Sequence, residues 1–102
     1  MPVGASVWSP VRVGDVPRIS TFYGISVAMY YDESHDGVAH FHAAYAEHRA
    51  SIAIDGQVLA GSLPRRALDL VAEWARLHRD ELLMNWKRAR QGEPLAAVTP
   101  LP

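Results

Sequence analysis

Chemistry in this chain is concentrated in one stretch, His40 to Ile54, HFHAAYAEHRASIAI. Read as two short strands turning at Ala46-Glu47, it sets Tyr45 opposite His48, Ala43 opposite Ala50 and Phe41 opposite Ile52. That face is mostly apolar, as a surface packed on a core should be. The alternate residues gather on the other face: His40, His42 and Ala44 opposite Ala53, Ser51 and Arg49. Two imidazoles, a guanidinium and a hydroxyl on one side of a hairpin suit RNA cleavage through the 2′-hydroxyl, which needs a base, an acid and a cation near the phosphate. Histidine titrates in the useful range, and arginine holds phosphate bidentately. His40, His42 and Arg49 are therefore the catalytic candidates of a metal-independent endoribonuclease, with Ser51 and Tyr30 as hydrogen-bonding auxiliaries. The competing account leaves both histidines solvated or satisfied by neighbours on an exposed strand. The arrangement also depends on register, because a slip of one residue would exchange the faces.

Metal binding is the second chemistry to weigh. Histidines at i and i+2 on a strand point the same way and can share an ion, but a site needs at least a third protein ligand. Asp32, His35 and Asp36 in the preceding loop are the residues that could reach, and cysteine is absent. With no clear third ligand, the expectation is a protein with no metal and no cofactor.

A third constellation lies at Arg65-Arg66, in the first turn of the C-terminal helix, where positive charge opposes the helix dipole. Asp69, four residues after Arg65 and three after Arg66, can pair with one of them. Arg66 remains unassigned and is the third substrate-binding candidate, for a phosphate or an acidic group at the helix start.

The elements that position these residues are legible in outline. RISTFYGISVAMYYDE, residues 18–33, is rich in β-branched and aromatic residues with Gly24 as a turn or bulge, giving strands over 19–23 and 25–31. DESHDG, residues 32–37, is a surface loop. Asp55-Gly56 predicts a two-residue type I′ turn leading to a short strand, 57–60. Ser62 can cap and Pro64 suits the first turn of a helix that runs without a breaker to Gly92, with a candidate kink near Asp80. Leu68, Val71, Trp74 or Ala75, His78, Leu82 and Trp86 form its apolar stripe, so Trp74 and Trp86 read as core. The sum is an α+β domain: a four- or five-stranded antiparallel meander with a long C-terminal helix on one face. Residues 1–17, with Pro2, Pro10, Pro17, Gly4 and Gly14, read as a flexible or extended segment before a single domain at 18–102. The tail LAAVTPLP could dock on the sheet or on a partner.

Composition narrows the class. The chain has 102 residues, 49% hydrophobic content and a formal net charge of −1, so no global field favours nucleic acid or anionic membrane. Any RNA contact needs a local basic patch. Without cysteine, signal peptide or membrane-length apolar run, a reducing cytoplasm is the simplest home.

PRISTFYGISVAMYYDE, then HFHAAYAEHRASI, then GSLPRRALDLVAEWARLHRDELLMNWKRARQGEPL resemble the bacterial DUF4160 family across roughly residues 17–95. Family chains commonly open at the Pro-Arg-Ile or its equivalent, which makes Val16 a candidate start and residues 1–15 foreign to the domain. Many members look like the partner of a small DUF2442-type protein in two-gene modules resembling toxin–antitoxin pairs. The resemblance implies such a module and a DUF2442-like protein partner, but assigns no residue a role. Two functions follow as expectations. One is an RNA-cleaving toxin using the His/Arg face. The other is a non-catalytic module that binds a small partner, or a second copy of itself, through exposed strand edges. Trp8, Tyr30 and the tail are that second reading's contact candidates.

Overall fold

The computed structural model describes residues 17–31 and 37–102. Five antiparallel strands run in sequence order across one sheet: β1 Arg18–Phe22, β2 Ile25–Ala28, β3 His40–Tyr45, β4 His48–Ala53 and β5 Val58–Ser62. Two helices follow, α1 Arg65–Leu77 and α2 Arg79–Arg90. The architecture is α+β, as the meander and the helical stripe predict. Trp8 and the other residues of the N-terminal segment before Pro17 lie outside the described residues, as do loop residues 32–36.

The central hairpin has the register that its alternation dictates: Phe41 pairs with Ile52, His42 with Ser51, Ala43 with Ala50, Ala44 with Arg49 and Tyr45 with His48. Its turn places Ala46 at φ +52°, a left-handed conformation that disfavours an L-residue by about 1–2 kcal/mol. Turn chemistry therefore does not fix this register. The burial of Phe41, Ala43, Ala50 and Ile52 against the helices does.

Trp74 of α1 is the centre of that core. It is fully buried, with the Phe22 and Phe41 rings at 5.3 and 5.7 Å. Ala67, Val71 and Ala75 flank it on α1, and Leu82, Asn85, Trp86 and Ala89 continue the buried face along α2. The helix breaks at His78, two residues before Asp80, where φ −116° and ψ 29° leave the helical region. The His78 ring pairs with Glu81 at 2.6 Å.

Several details differ from the sequence reading. The second strand stops at Ala28 instead of Tyr31: Met29 is buried, and Tyr31 turns inward to donate its hydroxyl to the Glu93 carbonyl at 2.9 Å. Ser62 belongs to β5 and caps nothing, while Pro64 occupies the N-cap with no side-chain cap bond. At Asp55-Gly56 only Gly56 has positive φ, and its N–H donates to the Ala53 carbonyl, so residues 54–57 form a loop with one left-handed glycine and not a type I′ turn. Asp55 steadies it by accepting the Gln57 N–H at 3.0 Å.

The tail 94–102 docks on its own domain. Val98 is buried and donates its N–H to Ile19 on the outer edge of β1 at 2.8 Å. Trp74 Nε1 donates to the Thr99 carbonyl at 2.9 Å, which satisfies the one polar atom of the central core residue. No helix of the described residues is long and apolar enough to cross a membrane.

Candidate functional site

Both helices pack on one face of the sheet, and the alternate residues of all five strands form the other. Cross-strand pairing arranges that open face in rows. Arg18, Ala28, His42, Ser51 and Ala60 make one row, and Thr21, Ser26, Ala44, Arg49 and Ser62 make the next. Small residues form most of the floor, so the few long side chains stand clear of it. A shallow groove of about 390 Å³ crosses β1 to β4, lined by Arg18, Ser26, Tyr30, His42 and Arg49 over Ala28 and Ala44. Among the described residues no carboxylate lines it.

His42 is the imidazole of this groove. Its Nδ1 lies 3.3 Å from the hydroxyl of Ser51, its direct cross-strand partner. The Tyr30 ring meets the imidazole edge to face at 4.8 Å between centroids. When Nδ1 carries the proton and donates to Ser51, the basic lone pair is on Nε2. Tyr30 and Ser51 thus hold the ring orientation, as a general base requires.

His40 sits differently. Its Nδ1 is 2.7 Å from the Val38 carbonyl, and its ring lies 5.2 Å from Trp86 of α2. The His40 and His42 rings meet edge to face at 5.3 Å, a contact distance that leaves no space for a phosphate between them. The two imidazoles are neighbours on one side of the groove, with His40 anchored at its rim.

Of the residues singled out from the sequence, His42, Arg49, Tyr30 and Ser51 come together and His40 borders them. Arg66 does not join. It flanks a separate apolar depression made by Tyr23, Ile25, Tyr45, Pro64, Ala67 and Leu70, while Arg65 pairs with Asp69 at 3.4 Å. Among the described residues no three His, Asp or Glu side chains converge on a metal position. Asp32, His35 and Asp36, weighed as third ligands, lie outside them.

Arg18 and Ser26 are the groove residues that sequence reasoning missed. Strict alternation back from the Phe22–Ile25 pair would place Arg18 opposite Met29, on the core side. A register shift between Arg18 and Ser20 pairs Arg18 with Ala28 instead and turns it to the open face. Ile19 and Ser20 are then both buried, and the Ser20 hydroxyl has no hydrogen-bond partner. Burying Ile19 and exposing a guanidinium outweighs that one orphaned hydroxyl.

A family model described as a domain of unknown function (DUF4160) matches residues 24–87, which include the whole central hairpin and most of both helices. No curated protein and no solved structure matches the chain.

Proposed function

The chain belongs to the DUF4160 family, and for this member we propose an RNA-cleaving activity on the open sheet face, within a toxin–antitoxin-like module. One observation carries the reading: a histidine oriented by its cross-strand serine, His42, shares a groove with Arg18 and Arg49 and, among the described residues, with no carboxylate. Arg49 holds the scissile phosphate. His42 Nε2 takes the proton from the adjacent 2′-hydroxyl, and the 2′-oxygen attacks phosphorus. A 2′,3′-cyclic phosphate forms as the bond to the 5′-oxygen breaks, and that oxygen takes a proton from water in the open groove. Ser51 and Tyr30 orient His42, and His40 braces it from the rim. The module, with its small DUF2442-like partner, rests on the family resemblance alone.

The test is incubation of the full chain with single-stranded RNA, reading 2′,3′-cyclic phosphate ends and growth arrest on expression. His42→Ala should abolish both, with a loss of roughly 10²–10⁴-fold in rate, the scale of a general base. Cleavage that persists in folded His42→Ala protein would end the ribonuclease reading.

The alternative, a non-catalytic partner-binding module, is favoured by a different observation. β5 is the outer strand of the sheet, its side chains are largely exposed, and Leu59 is 43% accessible. A strand of a partner could pair there. The tail is not available for that role in this structure, since it is docked on β1 and Trp74.

A further inference from the structure

We propose that Arg18 is a second phosphate ligand of the groove, so that the site takes a strand with at least two phosphates and not a mononucleotide. The inference rests on the RNA reading above and deepens it by naming a residue and the minimum ligand. Arg18 on β1 and Arg49 on β4 line the same groove from opposite ends, with His42 between them. Their backbones are three strand intervals apart, about 14 Å, and one row out of step along the strands. Ser26, Ala28 and Ala44 keep the floor between them low.

The placement of Arg18 has a local cause. Only the irregularity between Arg18 and Ser20 brings its side chain to this face, at the cost of the buried, unpartnered Ser20 hydroxyl. Bulges commonly re-aim a side chain beside a functional site. Neither Arg18 nor Arg49 has an ion pair among the described residues, and both are exposed. Charge complementarity therefore points to an anion at each end. Two guanidiniums whose backbones stand about 14 Å apart across the groove fit a polyanion whose charges repeat along a chain. Single-stranded RNA has that property, and its backbone can lie across the strands with the scissile phosphate at His42 and Arg49 and a neighbouring phosphate at Arg18.

The experiment is fluorescence anisotropy of the full chain with a labelled 2′-O-methyl oligoribonucleotide of about eight nucleotides, which lacks the attacking hydroxyl and lies within the site size of small single-strand binders, over a salt series. Each phosphate contact adds about 0.7 to the slope of log affinity against log salt for a single strand. Arg18→Gln should lower that slope by about 0.7, Arg49→Gln by a similar amount, and the double variant by the sum. Arg18→Lys should restore most of the slope, because the charge is kept. Competition by a mononucleotide should be weak and the same for parent and Arg18→Gln. If Arg49→Gln lowers the slope and Arg18→Gln does not, the second ligand is wrong and the RNA reading stands. If the parent binds no RNA, both fall. Circular dichroism of each variant checks that the exposed substitutions leave the fold intact.

Discussion

Asn85 and Ala96 hold each other through a closed pair of hydrogen bonds: the Asn85 amide Nδ2 donates to the Ala96 carbonyl at 2.8 Å, and its Oδ1 accepts the Ala96 N–H at 2.9 Å. Asn85 is fully buried on α2, and Arg88 donates to the same Oδ1 at 2.9 Å. A side-chain amide that pairs with a backbone amide fixes the path of an otherwise irregular segment. This clasp sets the start of the tail that delivers Val98 to β1 and Thr99 to Trp74.

Asn85→Ala should therefore destabilise the protein by about 2–3 kcal/mol, the scale of losing paired, buried hydrogen bonds. Urea denaturation measures the loss. Native-state hydrogen exchange at the Val98 amide gives the local signature, and it should accelerate more than amides in the centre of β3. A uniform change would mean that Asn85 stabilises α2 and does not clasp the tail.

Trp74 separates packing from hydrogen bonding. Trp74→Ala should cost about 3–5 kcal/mol, as for other large core truncations. Trp74→Phe keeps much of the contact with Phe22 and Phe41 but loses the donor to Thr99, so its penalty beyond the reduced volume should be about 1 kcal/mol. Chemical denaturation of the two variants compares them. A Trp74→Ala loss below about 1 kcal/mol would mean that this face of α1 contributes little to the folded monomer.

The central hairpin was legible because period-two alternation says which residues must face the core, and the observed pairs are those the pattern implies. The helical stripe was legible for the same reason at a period of 3.6. Arg18 was not, because a bulge adds one residue to one strand and inverts the facing of everything beyond it, with no side-chain signature at Ile19-Ser20. The tail clasp was hidden too. An asparagine between Met84 and Trp86 reads as a solvent-facing helix position until the segment it pairs with is known to return over it.

Gly61 links β5 to the site. It lies opposite Ala50 with φ +75°, and a Cβ there would stand 2.3 Å from the backbone carbonyl of Arg49. That neighbour is backbone and cannot rotate away. Gly61→Ala should cost more than about 2 kcal/mol, combining a left-handed alanine with displacement of β4. It should also weaken whatever Arg49 binds. A urea midpoint unchanged from the parent would show that β5 shifts at little cost.

Tyr31 predicts the alkaline limb of stability. Burial pushes its hydroxyl above the ordinary tyrosine pKa of 10.0, partly opposed by a hydrogen bond from the Leu95 backbone. The folded pKa is raised, so this contribution is fully present below the unfolded pKa and is lost as pH rises through the folded one. Stability should fall above pH 10, and Tyr31→Phe should flatten that fall while sacrificing the bond to Glu93. Thermal melts from pH 9 to 11.5 compare the two. Parallel curves would mean that another group governs the alkaline limb.

His40 and His42 share a strand face but should separate cleanly by experiment. His40 is held by the Val38 carbonyl and its ring meets Trp86 at a tilt, so His40→Ala removes both a hydrogen bond and a ring contact to the core's edge. A loss of about 1–2 kcal/mol is expected. His42 faces the groove over a floor of small residues, with Ser51 as a partner that water can replace. His42→Ala removes a longer hydrogen bond and edge contacts with Tyr30 and His40, and should cost less than His40→Ala, about 0.5–1 kcal/mol. RNA cleavage should show the reverse order, abolished in His42→Ala and reduced in His40→Ala only as far as the His42 ring loses its edge-to-face neighbour. Urea denaturation and the cleavage assay on the same two preparations decide it. If His42→Ala is the more destabilised variant, its ring is a structural part of the sheet, and the open face is better read as a partner-binding surface.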